Sequence, residues 1–345
     1  MLIRGAKRVL KRKVLAGLAV LLVGAPGVGK TELVRWVAAE TGHDLIISHP
    51  AVEEPVDVKG YPAISIDEKS ARFLPFGHLY QALTATKPTI WFLDDLGQAP
   101  EEVQAAYMQL LLTRAVGEHK LPDCVTFAAA TNRKEDRAGV TGILEPVKSR
   151  FNTIIEIQPD RPSWLGWAME TRQAPIVIGW VQQMTNDDFF FNPKPSTDLV
   201  NTPSPRTIEA LSQSILSGAL DDEDRDVISE DLAGSVGKAA ATDFLNFQSL
   251  WGTMPNVDEI LVNPDRIEIP SALNVKFAVA TALAERATRT NFKSVARYAT
   301  RMADEGAGEV AAFMVRLSAK LDVAIAGCAA YSRLVATEQF KPLLG

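Results

Sequence analysis

The chain has 345 residues, of which 47% are hydrophobic and 23% charged, the balance of an ordinary globular protein with room for two or three domains. A formal net charge of −6 argues against a protein that binds nucleic acid over its whole surface, although it leaves room for a local basic patch. Two cysteines, Cys124 and Cys328, predict a reducing, cytoplasmic compartment with both thiols in the core; a single disulfide is the alternative.

The N-terminal segment joins six basic residues, between positions 4 and 13, to the apolar run "VLAGLAVLLVGA" at 14–25. This arrangement imitates a secretory signal. The run leads directly into a phosphate-binding motif, however, so we interpret the segment as a short basic helix followed by the first buried strand. Elsewhere no apolar run reaches 18 residues, and we therefore predict no transmembrane span.

Short apolar runs recur through the first half of the chain and predict five buried strands, at 18–24, 44–48, 89–95, 125–132 and 152–157. Segments with helical spacing lie between them, for example 31–41 and 101–113. Strands that alternate with helices predict an α/β domain with a parallel five-stranded sheet and helices on both faces.

Strand signals stop near residue 160, and helical patterns follow to the end of the chain. We expect an α/β domain over 1–160, a helical lid over 161–250 and a helical C-terminal extension over 251–345. Three tryptophans with helical spacing in the lid are predicted core residues: Trp164, Trp167 and Trp180.

Basic residues of the C-terminal helices predict a positively charged face: Arg286, Arg289, Lys293, Arg297 and Arg301. A solvated or partner-facing surface is favoured over a nucleic-acid interface, because no aromatic residues are interleaved for base stacking. The four histidines have no metal-like spacing, and no zinc site is predicted.

The octapeptide "GAPGVGKT" at 24–31 fits the phosphate-binding pattern G-x-x-x-x-G-K-[ST]. Gly27 and Gly29 allow the tight backbone curl that turns N–H groups toward phosphates. Lys30 would reach the β- and γ-phosphates, while the Thr31 hydroxyl would bind Mg²⁺. The motif follows a predicted strand and opens a predicted helix, which is the context that it requires.

Polar residues at later strand ends complete a candidate site. "TIWFLDDLGQAP" delivers Asp94 as a metal ligand and Asp95 as a group that prepares water, and "VTFAAATNR" delivers Asn132, which would orient that water or touch the γ-phosphate. Arg150 in "EPVKSRF" is either a surface or capping residue or a charge supplied across a subunit boundary. Arg206 in "TPSPRTIEAL", taken alone, is an ordinary helix-start residue.

The motifs in this order resemble an AAA+ ATPase of the MoxR type over about residues 15 to 215. The segments that carry the resemblance are "LLVGAPGVGKTEL", "EEPVDVKGYPA", "APEEVQAAYMQLL", "AVGEHKLPDCVTFAAATNR", "GILEPVKSRF" and "TPSPRTIEAL". It implies a P-loop NTPase fold and a Mg²⁺-dependent ATPase. It also implies a homo-oligomeric ring, a hexamer by analogy with the family, that remodels or activates a partner protein in a chaperone-like way. In this family such partners often carry a von Willebrand factor A domain.

The resemblance also implies roles for individual residues. Asp95 takes the place of the catalytic base, Asn132 of sensor 1, Arg150 of the arginine finger and Arg206 of sensor 2. Residues expected to bind nucleotide are Gly24, Ala25, Pro26, Gly27, Val28, Gly29, Lys30, Thr31, Glu32 and Arg206; the metal ligands are Thr31 and Asp94, and the catalytic set is Asp95, Lys30, Asn132 and Arg150.

Smaller segments have implied roles too. "RAVGEHKLPD" corresponds to a β-hairpin before sensor 1, and residues 56–61 correspond to an insertion that faces the ring pore or the partner. Ser48 or His49, at the polar end of the second strand, would hold the base inactive until a partner engages.

The sequence departs from the family at Asp95, where the family usually has glutamate. Aspartate is one methylene shorter, and a misplacement of about 1 Å costs on the order of a hundredfold in rate. We therefore expect slow or partner-stimulated hydrolysis. Two alternatives stay open: a nucleic-acid-associated motor or replication accessory, and an ATP-dependent scaffold that hardly hydrolyses.

Overall fold

A computed structural model describes residues 1–65, 70–133, 136, 142–192, 199–222, 224–250 and 253–344. The chain divides into two compact units, with Met1–Asp160 in the first and a second that begins at Arg161. A further division of the second unit, between a lid and an extension at residue 250, stays a proposal.

The first unit alternates strands and helices in chain order. Its elements are α1 (Ile3–Leu15), β1 (Val20–Val23), α2 (Lys30–Thr41), β2 (Asp44–Ser48), α3 (Pro55–Lys59), β3 (Tyr61–Ser65), β4 (Ser70–Leu74), α4 (Gly77–Leu83), β5 (Thr89–Leu93), α5 (Glu101–Thr113), β6 (Ala115–Val116), β7 (His119–Lys120), β8 (Val125–Thr131), α6 (Glu145–Lys148) and β9 (Thr153–Glu156).

Five of these strands form one parallel sheet in the order β2-β5-β8-β1-β9. The central strands are apolar throughout; every residue of β5 and of β8 is buried. Strands covered on both faces read as continuous hydrophobic runs, which is why the sequence predicts them well. The predicted fold class is confirmed, and the observed strands end at the predicted boundary or up to two residues before it.

Two antiparallel hairpins stand apart from the main sheet. The hairpin β6-β7 lies where the resemblance places it. The hairpin β3-β4 follows the short helix α3, and the sequence does not predict it as a pair of strands.

Helix α1 and strand β1 occupy the segment that imitates a secretory signal. The helix buries Ala6, Leu10 and Val14 at a spacing of four residues. Two of its basic side chains also contact α2. The Nζ atoms of Lys7 and Lys11 each lie 2.7 Å from a carboxylate oxygen of Glu40.

The second unit contains helices and no strand among its described residues. Its helices are α7 (Arg161–Glu170), α8 (Pro175–Gln183), α9 (Pro205–Leu216), α10 (Arg225–Val236), α11 (Lys238–Ser249), α12 (Val257–Val262), α13 (Leu273–Arg286), α14 (Phe292–Asp304), α15 (Gly308–Leu321), α16 (Ala329–Val335) and α17 (Lys341–Leu344). One hydrophobic core runs from Trp164 to Phe340. Trp164 and Trp180 are buried in it and Trp167 packs against it, as predicted.

Both cysteines are free thiols, so the disulfide alternative is wrong for this structure. The prediction that they are core residues is also corrected. Cys124 and Cys328 are half-buried and pack on the edges of the two cores, because each lies beside a strand or helix end rather than within it. Among the described residues, none of the helices combines the length and the apolarity that a bilayer crossing needs.

Candidate functional site

The predicted site residues of the first unit meet at one edge of the sheet. Strands β5, β8 and β1 are neighbours and parallel, so their carboxyl ends lie side by side. Asp94 and Asp95 follow β5, Asn132 follows β8, and the segment 24–29 follows β1. Ligands of open α/β sheets bind at this carboxyl edge.

The segment between β1 and α2 curls because of its glycines. Gly27 and Gly29 have φ angles of 77° and 91°, a left-handed conformation that other residues adopt only with strain. Gly24 is required for another reason, since a Cβ atom there would lie 2.9 Å from the carbonyl oxygen of Ile157. Ala25 and Val28 are buried, whereas Pro26 is exposed.

Lys30, the first residue of α2, is buried and folded back over the loop. Its Nζ donates to the carbonyl oxygens of Gly24 and Ala25 at 2.8 and 3.1 Å, and to Oδ1 of Asn132 at 2.6 Å. A buried ammonium needs such acceptors, because desolvation without them is costly. The contact with Asn132 joins the loop after β1 to the end of β8.

Thr31 and Asp94 form the second link across the site. The Thr31 hydroxyl donates to Oδ2 of Asp94 at 2.7 Å, and Asp94 is buried. A hydroxyl and a carboxylate oxygen side by side are the hard oxygen donors that Mg²⁺ prefers. The donor set therefore fits a magnesium ion at this point.

Asp95 has φ 59° and ψ 35°, so its backbone is left-handed. Asp and Asn are enriched in this conformation because a short polar side chain can bond locally. The Nδ2 of Asn132 donates to Oδ1 of Asp95 at 3.4 Å, a long bond that brings both side chains to the same edge. Asp95 is less buried than Asp94.

The remaining predicted residues lie at the surface. Glu32 is exposed and paired with Arg35 at 3.3 Å. Arg150 follows α6 and is exposed; within the described ranges no ion pair is formed by its side chain. Arg206 is exposed in the first turn of α9 and belongs to the second unit.

The backbone at Gly97 lies close to the side chain of Thr131 beside the site, and the sequence does not predict this contact. Gly97 lies two residues after Asp95, and a Cβ atom there would be 2.2 Å from Oγ1 of Thr131 and 3.4 Å from Ile143. Thr131 directly precedes Asn132 at the end of β8. The spacing between the two strand ends therefore depends on the absence of a side chain at position 97. The "DDLGQ" glycine is a weak signal, because glycine is common in turns.

Buried Gln104 is also missed by sequence reasoning. Its Nε2 donates to the carbonyl oxygens of Ala99 and Gly142 at 3.1 and 2.9 Å, and its Oε1 accepts from the backbone N–H of Leu144 at 3.0 Å. This side chain fixes the segment that leads through α6 to Arg150. A glutamine within a helix is usually exposed to solvent, so the residue type at position 104 does not predict burial.

Ser48 joins the edge through its backbone rather than its side chain. Its carbonyl oxygen accepts from the N–H of Asp94 at 2.9 Å. Its hydroxyl accepts from Nε1 of Trp91 at 2.7 Å and lies 3.0 Å from Nδ1 of His78. The predicted inhibitory role of this strand end toward Asp95 stays a prediction.

Glu53 belongs to the same group of polar side chains as Ser48 and His78. It accepts from the hydroxyl of Tyr107 at 2.5 Å and lies 3.5 Å from Nδ1 of His78. Burial, followed by the charge of Glu53, raises the pKa of Tyr107 well above its usual value. The tyrosine therefore stays a neutral donor, and the group acts as a structural support under β2 and α5.

Residues 20–159 match the family model described as "ATPase family associated with various cellular activities (AAA)". The match covers the sheet and all the strand-end residues described above. This part of the chain is therefore similar to an AAA ATPase domain, and it contains the P-loop pattern at 24–31.

Curated relatives align with the same part of the chain. The chain is 29% identical over 181 residues to ATPase family gene 2 protein homolog B of Bos taurus, covering 47% of this chain and 22% of that protein. With the protein of the same name from Homo sapiens it shares 34% over 125 residues, covering 34% of this chain and 15% of the relative. The chain thus spans about a fifth or less of the length of these relatives.

Solved structures resemble the chain distantly. The RuvB Holliday junction branch migration motor of Thermotoga maritima has a TM-score of 0.41 and 13% identity, covering 81% of this chain and 80% of that one. NtrX from Brucella abortus in complex with ADP has a TM-score of 0.42 and 15% identity, covering 99% of this chain and 68% of that one.

Proposed function

We propose that the protein binds and hydrolyses ATP at the carboxyl edge of the sheet of its AAA domain. The observation that carries this proposal is the convergence of three strand ends, joined by the contacts Lys30–Asn132 at 2.6 Å and Thr31–Asp94 at 2.7 Å. Lysine, hydroxyl, carboxylate and amide are the groups that phosphoryl transfer needs at one place.

In this proposal the loop at 24–29 and the N-terminus of α2 bind the phosphates. Backbone N–H groups and the positive end of a helix favour such an anion. Lys30 would exchange its contacts with the loop carbonyls for the β- and γ-phosphates. The ammonium is already held among acceptors above the loop, so the exchange requires little movement of the backbone.

Mg²⁺ would be held by the Thr31 hydroxyl and by Asp94. When bound, the ion supplies positive charge at the phosphate oxygens. Lys30 would add its own positive charge at the same phosphates. Glu32, which is exposed in the first turn of α2, would bind nucleotide at the rim of the site.

Asp95 would accept a proton from the attacking water, and Asn132 would orient that water. The two side chains already share a hydrogen bond of 3.4 Å. The short side chain of aspartate suits the left-handed backbone at position 95, whereas it reaches less far than glutamate. This combination supports a slow or partner-stimulated reaction.

We further propose a ring of six identical subunits, in which exposed Arg150 reaches the nucleotide of a neighbour. An arginine at this position without an ion pair in the described structure is suited to such a role. Arg206 would act as sensor 2 from the helical lid. The finer assignment is a MoxR-type protein of the cytoplasm that remodels a partner, for which a protein with a von Willebrand factor A domain is the first candidate.

A second candidate is a scaffold that binds ATP and hydrolyses almost none. Asp95 supports it, because the aspartate stands where the resemblance implies glutamate and its bond to Asn132 is long. In that case nucleotide would assemble the ring without turnover.

Phosphate release and ATP affinity distinguish the two candidates. Wild type should release phosphate in the presence of Mg²⁺, Lys30→Ala should lose ATP affinity, and Asp95→Asn should keep affinity and lose turnover. The variant Asp95→Glu is informative, since a gain in turnover would identify the short side chain as the limit. Tight ATP binding without turnover in wild type and in Asp95→Glu would favour the scaffold.

A further inference from the structure

A basic hollow lies within the second unit, between the start of α14 and the helix α16. Its volume is about 690 Å³, within the range of small-molecule sites. Four cationic side chains line it: Arg289, Lys293, Arg297 and Arg333. We refer to this feature as the basic hollow.

Helical geometry explains why these residues face one another. Lys293 and Arg297 are four residues apart on α14 and lie on one face, which Thr300 continues. Lys293 and Thr300 are separated by about 10 Å along the helix axis, from the rise of 1.5 Å per residue. Arg333 and Thr337 line the hollow from the side of α16.

Among the described residues, three of the four cations of the hollow have no ion-pair partner, whereas Arg297 and, outside the hollow, Arg301 have partners. Arg297 pairs with Asp265 at 2.6 Å, and Arg301 donates to backbone carbonyls. Within the described ranges, the side chains of Arg289, Lys293 and Arg333 form no ion pair. Three cationic side chains without an ion pair in the described structure thus line one concave space.

Two carboxylates beside the hollow already have partners, because Asp265 pairs with the lining residue Arg297 and Asp322 accepts backbone hydrogen bonds. The Oδ2 of Asp322 accepts from the backbone N–H of Arg289 and its Oδ1 accepts from that of Ala324, so this carboxylate caps a turn. The charge concentrated in the hollow contrasts with a chain whose formal net charge is −6. Such a local field attracts an anion that fits inside it.

The lining indicates the class of anion. Arginines with forked donors, a lysine and threonine hydroxyls match phosphate oxygens, which accept several hydrogen bonds at once. None of the described lining residues is aromatic, so the hollow offers no platform for stacking bases. Recognition here would be of phosphate groups alone.

The small extent of the basic hollow favours a compact ligand over a long polymer. Salt screens charges beyond about 8–10 Å, so a ligand inside the hollow responds to its cations. A long polyanion would extend past them over a protein whose net charge is negative. We propose that the basic hollow binds a compact polyphosphate, either inorganic or the phosphate chain of a nucleotide, at a site separate from the P-loop.

Calorimetric titration of the full chain with inorganic tripolyphosphate tests this proposal. The Lys30→Ala variant serves as the parent protein, because it weakens binding at the P-loop. Lys293→Ala and Arg333→Ala are added to this parent singly and together; the matched control carries Lys276→Ala and Arg266→Ala, which remove two cations outside the hollow. Thermal melts confirm that each protein is folded, and Arg333→Glu replaces the double variant if that protein fails to fold.

Affinity should fall about tenfold for each cation removed from the hollow, the lower range for hydrogen bonds to charged groups, and stay within about twofold in the control. Parallel titration with ATP identifies the source of the phosphates: equal losses for both ligands support recognition of the phosphate chain. Equal affinity in the hollow variants and the control would overturn the proposal. So would tighter binding of a duplex of about 20 base pairs or of a hexaglutamate peptide at the same residues.

Discussion

The substitution Gly97→Ala should damage the geometry of the site without replacing any of the predicted site residues. The added Cβ would lie 2.2 Å from Oγ1 and 3.2 Å from Cβ of Thr131, well inside normal contact distance. Thr131 is buried, so the side chain has little room to turn away. The segment after β5 and the end of β8 must therefore move apart, and with them Asp95 and Asn132.

The expected size of the effect follows from that displacement. Overpacking of a buried contact costs about 1–3 kcal/mol of the free energy of unfolding. A separation of Asp95 from Asn132 by about 1 Å would lower turnover on the order of a hundredfold. ATP affinity should change much less, because the P-loop lies after a different strand. Urea denaturation, phosphate release and ATP titration measure the three quantities.

A double variant and a control make the test specific. Gly97→Ala combined with Thr131→Ala removes the clashing hydroxyl and should recover most of the lost turnover and stability. Gly234→Ala lies in α10 with open space around it, and should be neutral or stabilise by about 0.5–1 kcal/mol. Full turnover in Gly97→Ala, or no recovery in the double variant, would refute this reasoning.

Three further predictions concern other parts of the first unit. Gln104→Ala removes three hydrogen bonds of a buried side chain and should lower the free energy of unfolding by about 2–4 kcal/mol, measured by urea denaturation. Hydrogen bonds from Lys11 and then Lys7 lower the pKa of Glu40 to about 2, so its contribution to stability is complete above its ordinary pKa of 4.5 and is lost as pH falls toward 2. The melting-temperature difference between wild type and Glu40→Gln should therefore be larger near neutral pH than in acid close to that lowered pKa. Arg150→Ala should lower turnover about a thousandfold with little change in ATP affinity, measured by phosphate release.

Each of these predictions has its own contrary result. Stability unchanged by Gln104→Ala would mean that the segment before α6 is held by other contacts. A melting-temperature difference that stays constant with pH would remove Glu40 from the link between α1 and α2. Lys148→Ala, which breaks a surface pair with Glu145, is the control for Arg150 and should keep full turnover. Mixing Arg150→Ala with Lys30→Ala should restore activity if the arginine acts on a neighbouring subunit.

The main sheet could be predicted because its strands are short, continuously apolar and separated by helical patterns. Burial on both faces makes β5 and β8 conspicuous in the sequence. The hairpin β3-β4 has exposed residues such as Tyr61 and Ile64, which give no buried pattern to detect. Its pairing depends on contacts between strands rather than on local alternation.

The convergence of Lys30, Thr31, Asp94 and Asn132 could likewise be predicted, because parallel strands place their carboxyl ends together. The supports of these residues could not. Gly97 matters because of a single approach to Thr131, and Gln104 because of three backbone partners, two of them distant in sequence. Nothing in the residue types themselves distinguishes a supporting glutamine from a solvent-exposed one.

Magnesium-dependent phosphate release from ATP by purified wild type, measured beside Lys30→Ala, tests the central claim most directly. Wild type should show slow turnover that rises with Mg²⁺, and Lys30→Ala should show none. Equal phosphate release by the two proteins, or failure of wild type to bind ATP, would contradict the proposal that this edge of the sheet hydrolyses ATP.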